Sequence, residues 1–269
     1  MRKSSPPIWE CSVSPPDPKT AAGTLSARDV TARYGSLIVC RGITLHVAPG
    51  EVVALIGPNG AGKTSFIGAL AGAVTADGEI RLAASDIGSL PAQHRMRLGL
   101  ATVPDNRGLF PPLTVAENIR LGAQWVPRKH RAEAIADALA TFPFLKDRST
   151  TAAGSLSGGQ QQMLAIAKCL AGRPKALLLD EPSQGLAPIV LDEIVKVIGE
   201  LKQRGLPVLL VEQNFGLVER TADRYAVMVG GRIVSTGGRA ELADRERIAR
   251  LFMERRGEPP QHSMRRNVQ

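Results

Sequence analysis

The octapeptide Gly57-Pro58-Asn59-Gly60-Ala61-Gly62-Lys63-Thr64 limits this chain to few architectures. It has the spacing of a phosphate-binding loop, with three glycines followed by Lys-Thr. Glu51 to Ile56 before it is an apolar run of buried-strand length, and Thr64 to Ala71 after it reads as a helix. Glycines let the main chain wrap closely, so that its N–H groups and a helix N-terminus face negative oxygens. Lys63 supplies a positive charge for β- and γ-phosphates, and the Thr64 hydroxyl is suited to Mg²⁺. No other anion is expected near Lys63. The strand–loop–helix context predicts that the chain binds a nucleoside triphosphate.

A second run, Ala176-Leu177-Leu178-Leu179-Asp180-Glu181, is an apolar strand ending in two carboxylates. Such a strand is buried in a parallel sheet and delivers both acids to its carboxyl edge, where nucleotides bind in open α/β folds. Asp180 is placed to hold Mg²⁺. Glu181, pointing elsewhere, is the candidate general base for an attacking water.

Some twenty residues ahead of Asp180 lies Leu156-Ser157-Gly158-Gly159-Gln160, which opens the helical run Met163 to Leu170. A serine and two glycines at a helix start form a second anion-binding device, which suggests two copies meeting around each nucleotide. In order and type these three motifs resemble the ATP-binding subunit of ABC transporters, from about Leu25 to Phe252. The resemblance implies a P-loop NTPase core of α/β class: a mostly parallel sheet with flanking helices, an N-terminal antiparallel β part and an inserted helical subdomain. It implies ATP and Mg²⁺ as cofactors. ATP would be held by Gly57, Pro58, Asn59, Gly60, Ala61, Gly62, Lys63, Thr64 and Ser65, and by Ser157, Gly158, Gly159 and Gln160 toward a partner's nucleotide.

The segments Val103 to Pro111, Leu113 to Asn118, Gln162 to Ala167, Glu181 to Pro188 and Val211 to Asn214 look like one subgroup, the shorter ATPase of branched-chain amino-acid uptake systems. That implies a second ATP-binding subunit (a longer paralogue or another copy of this chain), two transmembrane permeases and, indirectly, a periplasmic binding protein. Related systems carry urea or short amides. Three positions depart from the general ABC pattern. Asp105 stands where Gln is usual, and where the subgroup has Glu; its carboxylate can ligate Mg²⁺ and orient water, but is shorter. Gln213 replaces the usual histidine and can donate to a γ-phosphate oxygen without titrating near neutral pH. Ala187 replaces an aspartate and removes an ionic contact across the dimer. Catalytic roles thus fall to Glu181, Asp105 and Gln213, and metal ligation to Thr64, Asp105 and Asp180. Tyr34 occupies the family's adenine-stacking position, although Tyr34-Gly35 is equally able to close a hairpin.

At 269 residues, 43% hydrophobic and 22% charged, the chain can bury one large core. No apolar run approaches the ~20 residues needed to cross a bilayer, and the N-terminal residues lack the apolar stretch of a secretion signal. Cys11, Cys40 and Cys169 have unrelated spacings and read as reduced thiols. The net charge of +9 raises the question of nucleic acid. Arg255, Arg256, Arg265 and Arg266 stand against Glu258 in the C-terminal tail, and the rest of the charge is dispersed. With aromatics at 4%, base-stacking platforms are scarce, and no nucleic-acid partner is expected. Basic tails beside an anionic cytoplasmic leaflet account for the charge. Residues 1–23 and 255–269 are expected to be disordered, with an ATPase domain over 24–254.

Leu25 to Val47 suggests antiparallel strands, with another strand at Glu79–Leu82. Pro91–Leu98, Thr114–Gln124 and Pro127–Phe142 read as helices, in a helical subdomain of about 91–154. Strand–helix alternation then resumes, and Pro188–Arg204 carries one apolar face through Val190, Ile194, Val197, Ile198 and Leu201. Two function classes follow. One is the energy-coupling subunit of an importer, peripheral on the cytoplasmic side of the inner membrane. The other is a soluble ABC-type ATPase acting on ribosomes or nucleic acid; its translation-factor relatives pair two ATPase units per chain, and its repair relatives carry long coiled-coil insertions. An exporter subunit fits the motifs but not the residues around Asp105 and Gln213.

Overall fold

The computed structural model describes residues 24–244, 246–248 and 250. The two tails expected to be disordered, with Cys11, lie outside the described residues. β1 (Leu25–Tyr34) and β2 (Leu37–Val47) form a hairpin closed by Gly35-Ser36, with Tyr34 paired opposite Leu37. β3 (Val52–Ile56) then runs into α1 (Lys63–Ala71), followed by β4 (Thr75–Leu82) and the short β5 (Ser85–Asp86). The four antiparallel strands form one sheet in the order β2-β1-β4-β5.

Next come α2 (Ala92–Leu98), β6 (Leu100–Val103), α3 (Val115–Gly122), α4 (Arg128–Thr141), α5 (Phe144–Asp147) and α6 (Gly158–Leu170). Then β7 (Ala176–Asp180), α7 (Pro188–Gln203), β8 (Val208–Glu212), α8 (Phe215–Thr221), β9 (Arg224–Val229) and β10 (Arg232–Gly238) follow. The second sheet has the order β10-β9-β3-β8-β7-β6, parallel except for β10 at one edge.

Burial explains these strands. All five residues of β3, of β7 and of β8 are buried, because both sheet faces are covered. Val53 and Leu55 of β3 face the core beneath the antiparallel sheet, with Phe66 and Leu70 of α1. Val52 faces a second core that holds Ile119, Leu164 and Ile198, and Ala54 and Ile56 face a third with Val218 and Tyr225. The apolar face expected on Pro188–Arg204 packs there: Ile194, Val197, Ile198 and Leu201 are buried, and Val190 is partly so.

Two strands, β5 and β6, have no counterpart among the expected elements. β6 lies inside the block read as helical, and it pairs in parallel with β7, Val103 opposite Leu179. Arg95 of α2 is buried and caps α1, donating at 2.7 Å to the carbonyls of both Ala69 and Leu70. The helix is thereby tied to the nucleotide-loop helix. Among the described residues no helix is long and apolar enough to cross a membrane.

Candidate functional site

Parallel pairing brings four strand ends to one edge. Ile56 is opposite Glu212, Asp180 opposite Val211, and Val103 opposite Leu179. The segments beyond these ends are therefore neighbours: Gly57 to Lys63 after β3, Asp105 after β6, Glu181 after β7 and Gln213 after β8. This is the carboxyl edge at which open α/β sheets bind ligands.

The loop from Gly57 to Gly62 lies against β9. A Cβ on Gly57 would stand 2.1 Å from the Met228 carbonyl, so only glycine fits there. Gly62 caps α1, and the loop opens a polar cavity of about 390 Å³ lined by Ile38, Val39, Asn59 to Ser65, Glu181, Gly230 and Gly231. Lys63 is 5% exposed, and its Nζ donates to the carbonyls of Gly57 at 2.9 Å and Pro58 at 3.2 Å. The sequence reading left Lys63 with no anion but a phosphate. The structure corrects this: Glu181 Oε1 lies 3.6 Å from the lysine nitrogen, because the end of β7 shares the edge with the loop.

Thr64 Oγ1 donates to Asp180 Oδ1 at 3.3 Å. Asp180 is 2% exposed, and burial pushes its pKa up to about 6, against the hydrogen bond from Thr64 and the charge of Lys63, with Asp105 and Glu181 adding negative charge. A hydroxyl and a buried carboxylate, both hard oxygens at one point, suit a divalent cation that takes its remaining ligands from phosphates and water. Asp105 is exposed and electrostatically coupled to Asp180; its Oδ1 accepts from Asn106 N at 2.7 Å.

Glu181 has a φ of 47°, in the left-handed region, which costs a non-glycine residue on the order of 1–3 kcal/mol. The turn takes its side chain out of the strand direction, so that Oε1 faces Lys63 and also accepts from Gln213 Nε2 at 2.5 Å. Ala187, at the N-cap of α7, offers no side-chain cap.

Ser157 to Gln160 begin α6 with a reciprocal capping box. Ser157 Oγ accepts from Gln160 N at 3.3 Å and Gln160 Oε1 from Ser157 N at 3.1 Å. Gly159 packs on α7, where a Cβ would meet Val190 Cγ2 at 2.6 Å. None of these four residues lines the cavity at Lys63. The helix they open is tied instead to the loop of Asp105, through Arg107 Nη1 donating to Gln161 Oε1 at 2.8 Å. Tyr34 does not line that cavity either; its ring is half exposed at the β1–β2 turn.

Two buried residues that tie loops together escaped sequence reasoning. Glu212, 1% exposed, accepts from Ser183 N (2.9 Å), Ser183 Oγ (2.9 Å), Gln213 N (3.0 Å) and Asn214 N (3.1 Å). Burial raises its pKa, and these donors oppose the rise. The available signal was an acid ending an apolar strand, as Asp180 does. Asn118, fully buried on α3, accepts from Phe110 N at 2.9 Å and donates to Phe110 O at 3.1 Å, which fixes a loop whose Phe110 ring stays 50% exposed.

Comparison with known proteins agrees with this geometry. The family model described as ABC transporter matches residues 40–184, more than half of the chain. The high-affinity branched-chain amino acid transport ATP-binding protein BraG of Pseudomonas aeruginosa is 39% identical over 230 residues, covering 85% of this chain and 99% of that protein. The lipopolysaccharide export system ATP-binding protein LptB of Acidithiobacillus ferridurans is 33% identical over 235 residues, covering 85% and 96%. A crystal structure of the ADP conformation of an ATP-binding cassette of an ABC transporter superposes with a TM-score of 0.73 at 25% identity, covering 86% of this chain and 98% of that one. The chain belongs to the ABC transporter family, as one of its ATP-binding ATPase subunits.

Proposed function

We propose that this chain is the ATP-hydrolysing, energy-coupling subunit of an importer for branched-chain amino acids or related small amides. The observation that carries the hydrolytic part is the meeting of Lys63, Glu181 and Gln213 beside the Thr64–Asp180 pair. Lys63 and the main-chain N–H groups from Gly57 to Ser65 hold the phosphates. Thr64 and Asp180, with Asp105 beyond them, hold Mg²⁺, which supplies charge neutralisation at the transferring phosphoryl group. The Glu181 carboxylate takes a proton from the attacking water, and Gln213 orients that carboxylate and donates toward the γ-phosphate. Tyr34, exposed on its turn, stacks on adenine.

Ser157 to Gln160 lie outside the cavity of their own chain, which supports their serving the phosphates of a second ATP-binding subunit, either a longer paralogue or another copy. The remaining partners are two transmembrane permeases and, through them, a periplasmic binding protein; no nucleic acid is assigned. The protein sits peripherally on the cytoplasmic side of the inner membrane, with residues 24–254 as the ATPase domain and about 91–154 as its helical part. Half-exposed Phe110 lines a cleft of about 530 Å³ together with Trp125 and Lys168, and this supports a permease contact there.

The importer reading draws on the likeness to the Pseudomonas aeruginosa protein. An export role is the second reading, because a lipopolysaccharide export ATP-binding protein is also similar. Co-expression with the permeases expected from neighbouring reading frames and reconstitution into vesicles tests both. ATP-driven uptake of labelled leucine, abolished by Glu181→Gln, is expected. Failure of the chain to stay with those permeases, or restoration of lipopolysaccharide export in place of uptake, would overturn the importer.

A further inference from the structure

Glu212 is a buried acid that the hydrolysis scheme leaves without a role, and its partners are four N–H and O–H donors rather than a cation. Burying a carboxylate is costly unless its lone pairs are filled. Here they are filled from two directions. Ser183 lies two residues beyond Glu181, whereas Gln213 and Asn214 follow Glu212 itself. Pro182 has no N–H, so Ser183 N is the first main-chain donor available after Glu181, and Glu212 Oε1 accepts it. Below the loops, Glu181 N donates to Val211 O at 2.9 Å, so that the β7–β8 ladder continues up to the point where Glu212 takes over.

We propose that Glu212 is a positioning residue whose carboxylate fastens the Glu181 turn to the Gln213 turn and so sets the Glu181–Gln213 contact. A carboxylate can accept at both oxygens, whereas a glutamine accepts at one and donates at the other. Glu212→Gln therefore preserves shape but turns a donor toward Ser183 N or toward the three donors on Oε2. A small displacement of a catalytic group can cost on the order of 10²-fold in rate. The proposal rests on Glu181 acting as the base.

The test compares full-length wild type, Glu212→Gln, Gln213→Ala, the double variant and Glu181→Gln, measuring ATP turnover, ATP affinity and melting temperature. Glu212→Gln should lower kcat about 10- to 100-fold with ATP affinity within about twofold. It should add little further loss in the Gln213→Ala background, because the contact it sets is already gone. Ser183→Ala, which keeps the carboxylate, should lower kcat less in the same direction and carries the test if Glu212→Gln does not fold. Equal losses of kcat in both backgrounds, or a lower melting temperature with unchanged kcat, would overturn the proposal. Normal turnover by Glu181→Gln would instead remove the base assignment, and this proposal with it.

Discussion

Gln213 Nε2 donates to Glu181 Oε1 at 2.5 Å, and the same carboxylate oxygen lies 3.6 Å from Lys63 Nζ. A neutral amide and an ammonium thus converge on one oxygen from the loops after β8 and β3. The amide does not titrate near neutral pH, so Gln213 adds no pH dependence of its own. Gln213→His places there a group with an ordinary pKa near 6.5. Its turnover-versus-pH curve should differ in shape from that of wild type between about pH 6 and 7, and superimposable curves would count against a role for this position.

Glu181→Gln keeps the shape of the base but cannot take a proton. Turnover should fall about 10²- to 10⁴-fold while Mg²⁺-dependent ATP binding persists through Lys63, Thr64 and Asp180. With less negative charge facing the phosphates, an ATP-bound dimer should persist and dissociate with ADP. Size-exclusion chromatography with each nucleotide, with the second ATPase subunit present, reads this directly. A monomer under all conditions would rule out the proposed exchange of Ser157–Gln160 between subunits.

Lys63→Ala should abolish tight ATP binding and hydrolysis. It should also lower the stability of the protein itself, because the carbonyls of Gly57 and Pro58 lose a donor and Glu181 loses its nearest cation. Leaving such groups unpaired costs about 1–3 kcal/mol. Thermal unfolding in nucleotide-free buffer should show a lower midpoint, and an unchanged midpoint would mean that these contacts contribute nothing net.

Asp180 gives a pH dependence of definite sign. Its folded-state pKa is raised from 3.8 to about 6, so the folded protein holds this proton more tightly than the unfolded chain does. The stability it contributes is complete below about pH 4 and is lost as pH rises through 6, a loss of about 3 kcal/mol. Asp180→Asn should therefore be more stable than wild type at pH 8 and equal to it near pH 4. Denaturant titrations without Mg²⁺ or nucleotide at the two pH values check this; a gap of equal size at both would contradict it. Mg²⁺ with ATP should stabilise wild type more than the variant.

Phe110→Ala should weaken recovery with the permeases and lower transport, with ATP binding intact, since the ring is half exposed and the loop is held by Asn118 rather than by the ring. Co-purification from membranes measures the first effect and labelled-nucleotide binding the second. Loss of ATP affinity with normal permease recovery would assign the ring to internal packing.

The sequence by itself determined the pieces. β3 and β7 were legible because strands buried on both faces read as unbroken apolar runs, as in Ala176 to Leu179. The starts of α1 and α6 were legible because glycine and serine solve a local problem of turns and unpaired N–H groups. Residue types at those ends already pointed to a phosphate, a cation and a base. Only the tertiary structure decided which ends meet. β6 was hidden because four residues, Leu100 to Val103, are too short to show a period; it becomes a strand by pairing with β7. Lys63 reaches Glu181, and Glu212 reaches Ser183, because the parallel register aligns strand ends that lie far apart along the chain. Local patterns report burial and turns, whereas strand order and register are properties of packing between distant segments, and they place each acid, amide and lysine at a common edge.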